Sequence, residues 1–131
     1  MQSRNALQLE DYAVEDMLIS PGKKDKPAGK AVVAVSTSNF KHKKDESRFL
    51  TRMEIIVSAA GDEPPPYEMK ISVLGKFSVG KGGARGVAMD NIAPSLLYSA
   101  MRDFIATVTS RSVHGKFLLP IMSFPQGQGK K

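Results

Sequence analysis

The sequence predicts an α+β protein: a four-stranded antiparallel sheet, then one long helix, then an extended apolar C-terminal segment. Three observations carry that expectation. Residues 7–79 hold four stretches in which apolar and polar residues alternate, separated by turns rich in Gly, Pro and Lys. Sustained helical periodicity occurs only within residues 91–125. The run from Phe117 to Phe124 is apolar but carries Pro120 and is followed by Pro125, which bars both a helix and a central strand. Strands in series followed by a helix give an α+β architecture.

The first strand spans Leu7 to Ile19, with alternation that starts at Leu7 and Leu9 and resumes out of phase at Tyr12 and Val14, as a bulge would require. A loop follows from Pro21 to Gly29. The second strand, Lys30 to Phe40, is apolar on both faces, with Val33 and Val35 on one and Val32 and Ala34 on the other. Lys41 to Ser47 is a charged turn. In the third strand, Phe49 to Ala59, residues Phe49, Met53, Ile55, Val57 and Ala59 share a face against Arg52, Glu54 and Ser58. A hairpin from Gly61 to Pro66 ends in three prolines. Tyr67, Met69, Ile71 and Val73 then alternate with Glu68, Lys70 and Ser72, Gly75 marks a bulge or bend, and Phe77 and Val79 keep the parity. Gly80 to Gly86 is a glycine-rich crossover.

The helix is expected from about Ser95 to about Ser110, with Pro94 in its first turn and Asp90 or Asn91 as its cap. Leu96, Leu97, Ala100, Met101, Phe104, Ile105 and Val108, at roughly 100° per residue, sweep close to half its circumference. That arc is wider than one small sheet covers. Leu96, Ala100 and Phe104 are assigned to the core, and Met101 and Ile105 to contacts with another polypeptide chain. Residues 1–125 form one domain, and 126–131 a flexible basic tail.

Composition narrows the function. The chain of 131 residues has no cysteine, which removes disulfides, thiolate nucleophiles and cysteine metal sites together. His42 and His114 lie too far apart in sequence to suggest a metal pair, and no cofactor is expected. No apolar run approaches the roughly 18 residues a membrane helix needs. The acidic start, MQSRNALQLEDYAVEDM, lacks the apolar core of a signal peptide, so a cytoplasmic location is expected. A net charge of +6 invites a nucleic-acid reading, but the cations cluster in loops: Lys23, Lys24, Lys26 and Lys30; Lys41, Lys43 and Lys44; Lys81 and Arg85; Lys130 and Lys131. Solvated loop charge is the preferred reading, and a basic nucleic-acid-binding module the alternative.

Two motifs point toward catalysis and fail. The run from Gly75 to Gly82 fits G-x-x-x-x-G-K but then places glycine where a phosphate loop needs Ser or Thr for magnesium, and Gly82 with Gly83 is a poor helix start. Glu10, Asp11, Glu15 and Asp16 sit on a strand with no nucleophile or base near them in sequence, and read as charges that protect a sheet edge. His114, beside Gly115 in a turn, is read as a surface residue. The chain is not expected to be an enzyme.

The run N-x-x-P-x-L-L-Y-x-x-x-R-D-x-I, then T-S-R-S, then F-L-L-P-I-M-S-F resembles the bacterial protein-export chaperone SecB. The likeness rests on Pro94, Leu97, Arg102, Asp103, Ser110, Arg111, Leu118, Pro120, Ser123 and Phe124, and extends more weakly from about Leu7 to Phe124. It implies a sheet that pairs edge to edge with a second copy, and dimers that pack through their helices into a homotetramer. It also implies an ATP-independent chaperone that binds unfolded or precursor polypeptides in an apolar groove. Phe117, Leu119, Met122 and Phe124 are the expected peptide contacts, joined by Met101 and Ile105, because a flexible, Met-containing apolar surface accepts varied partners.

The sequence departs from that family in charge and in length. SecB is strongly acidic and continues into a second helix, whereas this sequence ends in Pro-Gln-Gly-Gln-Gly-Lys-Lys. The positions that would dock the translocation ATPase correspond to Asp16, Ser20 and Lys70, and only Asp16 is acidic. The peptide-binding resemblance is therefore stronger than the export one, and protection of an antitoxin is an expected role.

Overall fold

The computed structural model describes residues 7–23, 27–80, 85–122 and 124. Four strands, β1 (Leu7–Pro21), β2 (Ala31–Lys41), β3 (Arg48–Ala59) and β4 (Tyr67–Val79), form one antiparallel sheet in the order β1-β4-β3-β2. The predicted α+β architecture is therefore the observed one. β1 and β2, adjacent in sequence, occupy opposite edges of the sheet.

Alternation in the two central strands is nearly complete. Phe49, Thr51, Met53, Ile55 and Val57 of β3 and the odd-numbered residues 67–79 of β4 are buried on one face. Cross-strand partners Phe49 and Phe77 stack with centroids 5.1 Å apart. Thr51, the polar member of the row, donates its hydroxyl to Asn39 Oδ1 at 2.7 Å, which satisfies a group whose burial would otherwise be costly.

The edge strands differ. β2 pairs with β3 from Ala31 to Lys41 without a register break. β1 slips register against β4 twice, between Leu9 and Asp11 and between Val14 and Asp16. The first slip is the expected bulge; the second is new. Gly75 is not a bulge: it pairs with Tyr12 on one side and Thr51 on the other. Its lack of a side chain serves packing instead, since a Cβ there would stand 3.0 Å from both Leu97 Cδ1 and Phe77 Cε2. Residues 75–79 are thus strand, with backbone groups committed to neighbours, which removes the phosphate-loop geometry.

The helical region begins earlier than predicted. A short turn α1 (Arg85–Val87) runs into a π-helical turn (Ala88–Ile92) and then α2 (Ala93–Thr109). Pro94 lies in the first turn of α2 as expected, but the residue at the N-cap position is Ile92, whose side chain makes no cap bond. The preceding turns supply the partners a cap would have provided. Arg85, grouped in sequence with the loop cations, is structural: its Nη1 donates to the carbonyls of His42, Asp45 and Arg48 at 3.1–3.2 Å.

The core face of α2 also differs from the expected one. Leu97, Met101 and Ile105 are fully buried against the sheet, whereas Leu96 is 37% exposed and Ala100 and Phe104 are half-buried. Phe104 meets Tyr12 of β1 edge to face, with centroids 6.4 Å apart. Met101 and Ile105, expected as contacts for a client or subunit, are therefore core residues of the protomer.

Candidate functional site

The site is assembled by a chain of hydrogen bonds between α2 and the segment 117–124. Buried Thr109 ends the helix; its hydroxyl donates to the Ile105 carbonyl at 2.7 Å and accepts the Phe117 N–H at 2.8 Å. Two turns earlier, Arg102 Nε donates to the Leu119 carbonyl at 3.0 Å. A further turn back, the Tyr98 hydroxyl donates to the Pro120 carbonyl at 2.7 Å, and its ring meets Phe124 edge to face. The segment thus runs back along the helix, with no strand ladder among its described residues, because the helix side chains take the place of a neighbouring strand.

The turn between helix and segment is anchored to the sheet by Tyr67. Its hydroxyl donates to the Gly115 carbonyl at 2.7 Å and accepts the His114 N–H at 3.0 Å, while its ring packs edge to face on Phe117 and His114. His114 Nε2 lies 2.6 Å from the Gly22 carbonyl, so the ring nitrogen is the donor in that pair. The histidine read from sequence as a surface residue therefore ties the turn to the end of β1. Gly115 supports the turn with φ of +79°. Burial raises the Tyr98 phenol above its ordinary 10.0, an effect that nearby Arg102 opposes, so at neutral pH the hydroxyl keeps the proton it donates.

These bonds fix which side of the segment faces out. Of the expected contacts, Leu119 is 1% exposed and belongs to the core, while Phe117, Met122 and Phe124 are partly buried against it. Leu118 and Ile121, not among the expected contacts, stand 64% and 86% exposed. Val113 in the turn, Ile92 and Leu96 on the helical flank and Met17 on β1 are also open to solvent. Ser123 and Pro125 lie outside the described residues, as do the tail 126–131 and Lys24, Lys26 and Lys81.

Polar groups at the site belong to the latch: the hydroxyls of Tyr67, Tyr98 and Thr109 are all engaged with backbone groups. No three or more His, Asp or Glu converge as a metal site among the described residues. Glu10 and Glu15, weighed from sequence as paired carboxylates, face basic partners across the sheet: Glu15 takes a two-point bond from Arg52 at 2.8 and 3.2 Å, and Glu10 lies 3.9 Å from Arg48. The bond from Arg52 holds the Glu15 carboxyl below its ordinary value. No helix among the described residues is long and apolar enough to cross a membrane.

Neither a family model nor a curated protein matches the sequence. Among solved structures, the chain is similar to the SecB-like chaperone Rv1957 of Mycobacterium tuberculosis, in complex with a ChAD peptide from the antitoxin HigA1. The TM-score is 0.65 at 12% sequence identity, covering 89% of this chain and 88% of that one. The protein has a SecB-like fold.

Proposed function

We propose that this chain, built on a SecB-like fold, is an ATP-independent molecular chaperone that holds unfolded or precursor polypeptides on apolar surface, without catalysis and without a cofactor. The observation that carries the reading is the pair Leu118 and Ile121, 64% and 86% exposed on a segment whose backbone is latched to α2 at Phe117, Leu119 and Pro120. A loose segment could fold such residues away, whereas a latched one presents them. Half-buried Phe117, Met122 and Phe124 border the pair and extend the surface a client would cover.

The structural neighbour's antitoxin peptide supports a polypeptide client, and an antitoxin segment is preferred here over an exported precursor. The outer-face positions Asp16, Ser20 and Lys70 present one acid, one neutral residue and one base, a poor match for the ATPase docking the resemblance implies. Self-association to a dimer or tetramer is part of the proposal: Ile92, Leu96 and Val108, each between 37% and 42% exposed, offer the helical surface that a second copy would cover. The cytoplasm is the proposed location, residues 1–125 the functional domain, and 126–131 a basic tail. Direct nucleic-acid recognition is not favoured, because Arg85, one of the loop cations, is spent on backbone carbonyls.

Suppression of aggregation of a slow-refolding client tests the proposal. A Leu118→Ser/Ile121→Ser variant, matched to wild type in fold and oligomeric state, should protect poorly; equal protection by the two proteins would overturn it.

A further inference from the structure

On the outer face of the sheet, away from α2, three adjacent strands bring Phe40, Leu50 and Lys76 into register side by side. With Lys41, His42 and Arg48 they surround a cavity of about 350 Å³. Three cations line it and no carboxylate does. Arg48 is partly neutralised by Asp45 at 3.3 Å and Glu10 at 3.9 Å, but Lys41 and Lys76 are exposed and make no ion pair among the described residues. His42 Nδ1 accepts the N–H groups of Lys44 and Asp45 at 3.1 and 2.8 Å, which leaves Nε2 to carry the proton of the neutral ring. The walls are apolar: Phe40 is 44% exposed, and Leu50 lies beside it.

We propose that this corner binds an acidic peptide segment carrying an apolar side chain, with carboxylates paired to Lys41 and Lys76 and the apolar group resting on Phe40 and Leu50. The site lies on the opposite sheet face from the latched segment and does not depend on the chaperone reading. A nucleic acid fits less well. Single-strand binders stack successive bases on several aromatic faces, whereas Phe40 is the exposed ring at this corner. The next cavity along the face, about 170 Å³, is lined by Asp11 as well as Lys76, and β1 continues with Glu15 and Asp16. A phosphate chain leaving the corner in that direction meets carboxylates, while a peptide with two acidic residues ends before them.

Fluorescence anisotropy with the full chain tests this. The probe is a labelled ten-residue peptide, two aspartates and two glutamates interspersed with leucine and phenylalanine; the comparison peptide replaces the acids by Asn and Gln, and a ten-nucleotide oligothymidine is run in parallel. The acidic peptide should bind about tenfold tighter than its amide counterpart at 50 mM salt, as two exposed ion pairs allow. That advantage should shrink at 200 mM salt. Lys41→Gln/Lys76→Gln should abolish the advantage, while Leu118→Ser/Ile121→Ser should leave it intact. Equal binding of the two peptides, or an advantage that survives the lysine substitutions, overturns the proposal. Tighter binding of the oligothymidine, lost with the same two lysines, overturns it in favour of nucleic acid.

Discussion

Thr109→Val isolates the latch from the surface it presents. The substitution keeps shape and volume but deletes the hydroxyl that donates to the Ile105 carbonyl and accepts the Phe117 N–H at 2.8 Å. Thr109 is fully buried and Phe117 half-buried, so the Phe117 N–H is left with no partner in a place that water reaches poorly. An orphaned donor of this kind costs about 1–3 kcal/mol. At a thermal shift of about 3–5 °C per kcal/mol for a chain this size, the expected drop is of the order of 8 °C. Urea unfolding reads the cost, and hydrogen exchange locates it: the Phe117 amide should lose protection while the amides of β3 and β4 keep theirs. Client binding should weaken as well, although no client-facing atom has changed, because the segment must then be ordered on binding. Thr109→Ser, which keeps the hydroxyl, should preserve the exchange pattern. A valine variant with wild-type midpoint and unchanged Phe117 exchange would show that apolar packing alone holds the segment and that the latch argument fails.

Three further outcomes are expected. Leu96→Asp should lower the oligomeric mass in light scattering while the monomer stays folded, whereas Met101→Asp, at a fully buried position, should unfold the chain because an unpaired buried charge costs about 3–5 kcal/mol; a folded, smaller Met101→Asp species would return that side chain to the interface. Gly75→Ala should destabilise by about 1–3 kcal/mol in urea, since Leu97 Cδ1 and Phe77 Cε2 at 3.0 Å must move, and an unchanged midpoint would mean that α2 does not seat so closely. The Glu15 carboxyl is held below its ordinary 4.5 by the bond from Arg52, so its small contribution to stability is present above pH 4.5 and fades as pH falls through the lower folded value; an NMR titration in Arg52→Gln should show the Glu15 midpoint rising, and no movement would break the assigned pair.

How far the fold could be read from residues depended on whether one face of each element was clearly polar. β3 and β4 alternate cleanly, and all four strands lie within two residues of their expected limits. In β1 the first bulge was legible from the switch between Leu9 and Tyr12. The second, between Val14 and Asp16, is blurred because Met17, Leu18 and Ile19 are apolar on both parities. Periodicity contains no information on strand order, so the separation of β1 and β2 to opposite edges could not be derived from it.

The site was harder for the same reason, in sharper form. Leu97, Met101 and Ile105 make one apolar stripe on α2, and Leu96, Ala100 and Phe104 make another beside it; apolar content does not choose between them. The polar residues do. Tyr98, Arg102 and Thr109 border the first stripe, and each needs a hydrogen-bond partner when partly buried. Those partners are carbonyls and an amide of the returning segment, which covers that flank and turns the first stripe toward the sheet. The bonds from Arg102 and Tyr98 to the Leu119 and Pro120 carbonyls roll the segment so that Leu119 points in while Leu118 and Ile121 point out. Apolar residues on both sides of the segment made the two orientations indistinguishable in sequence. A segment apolar on both sides, held by bonds that cover one of them, leaves the other exposed, and that asymmetry is the physical basis of the proposed chaperone reading.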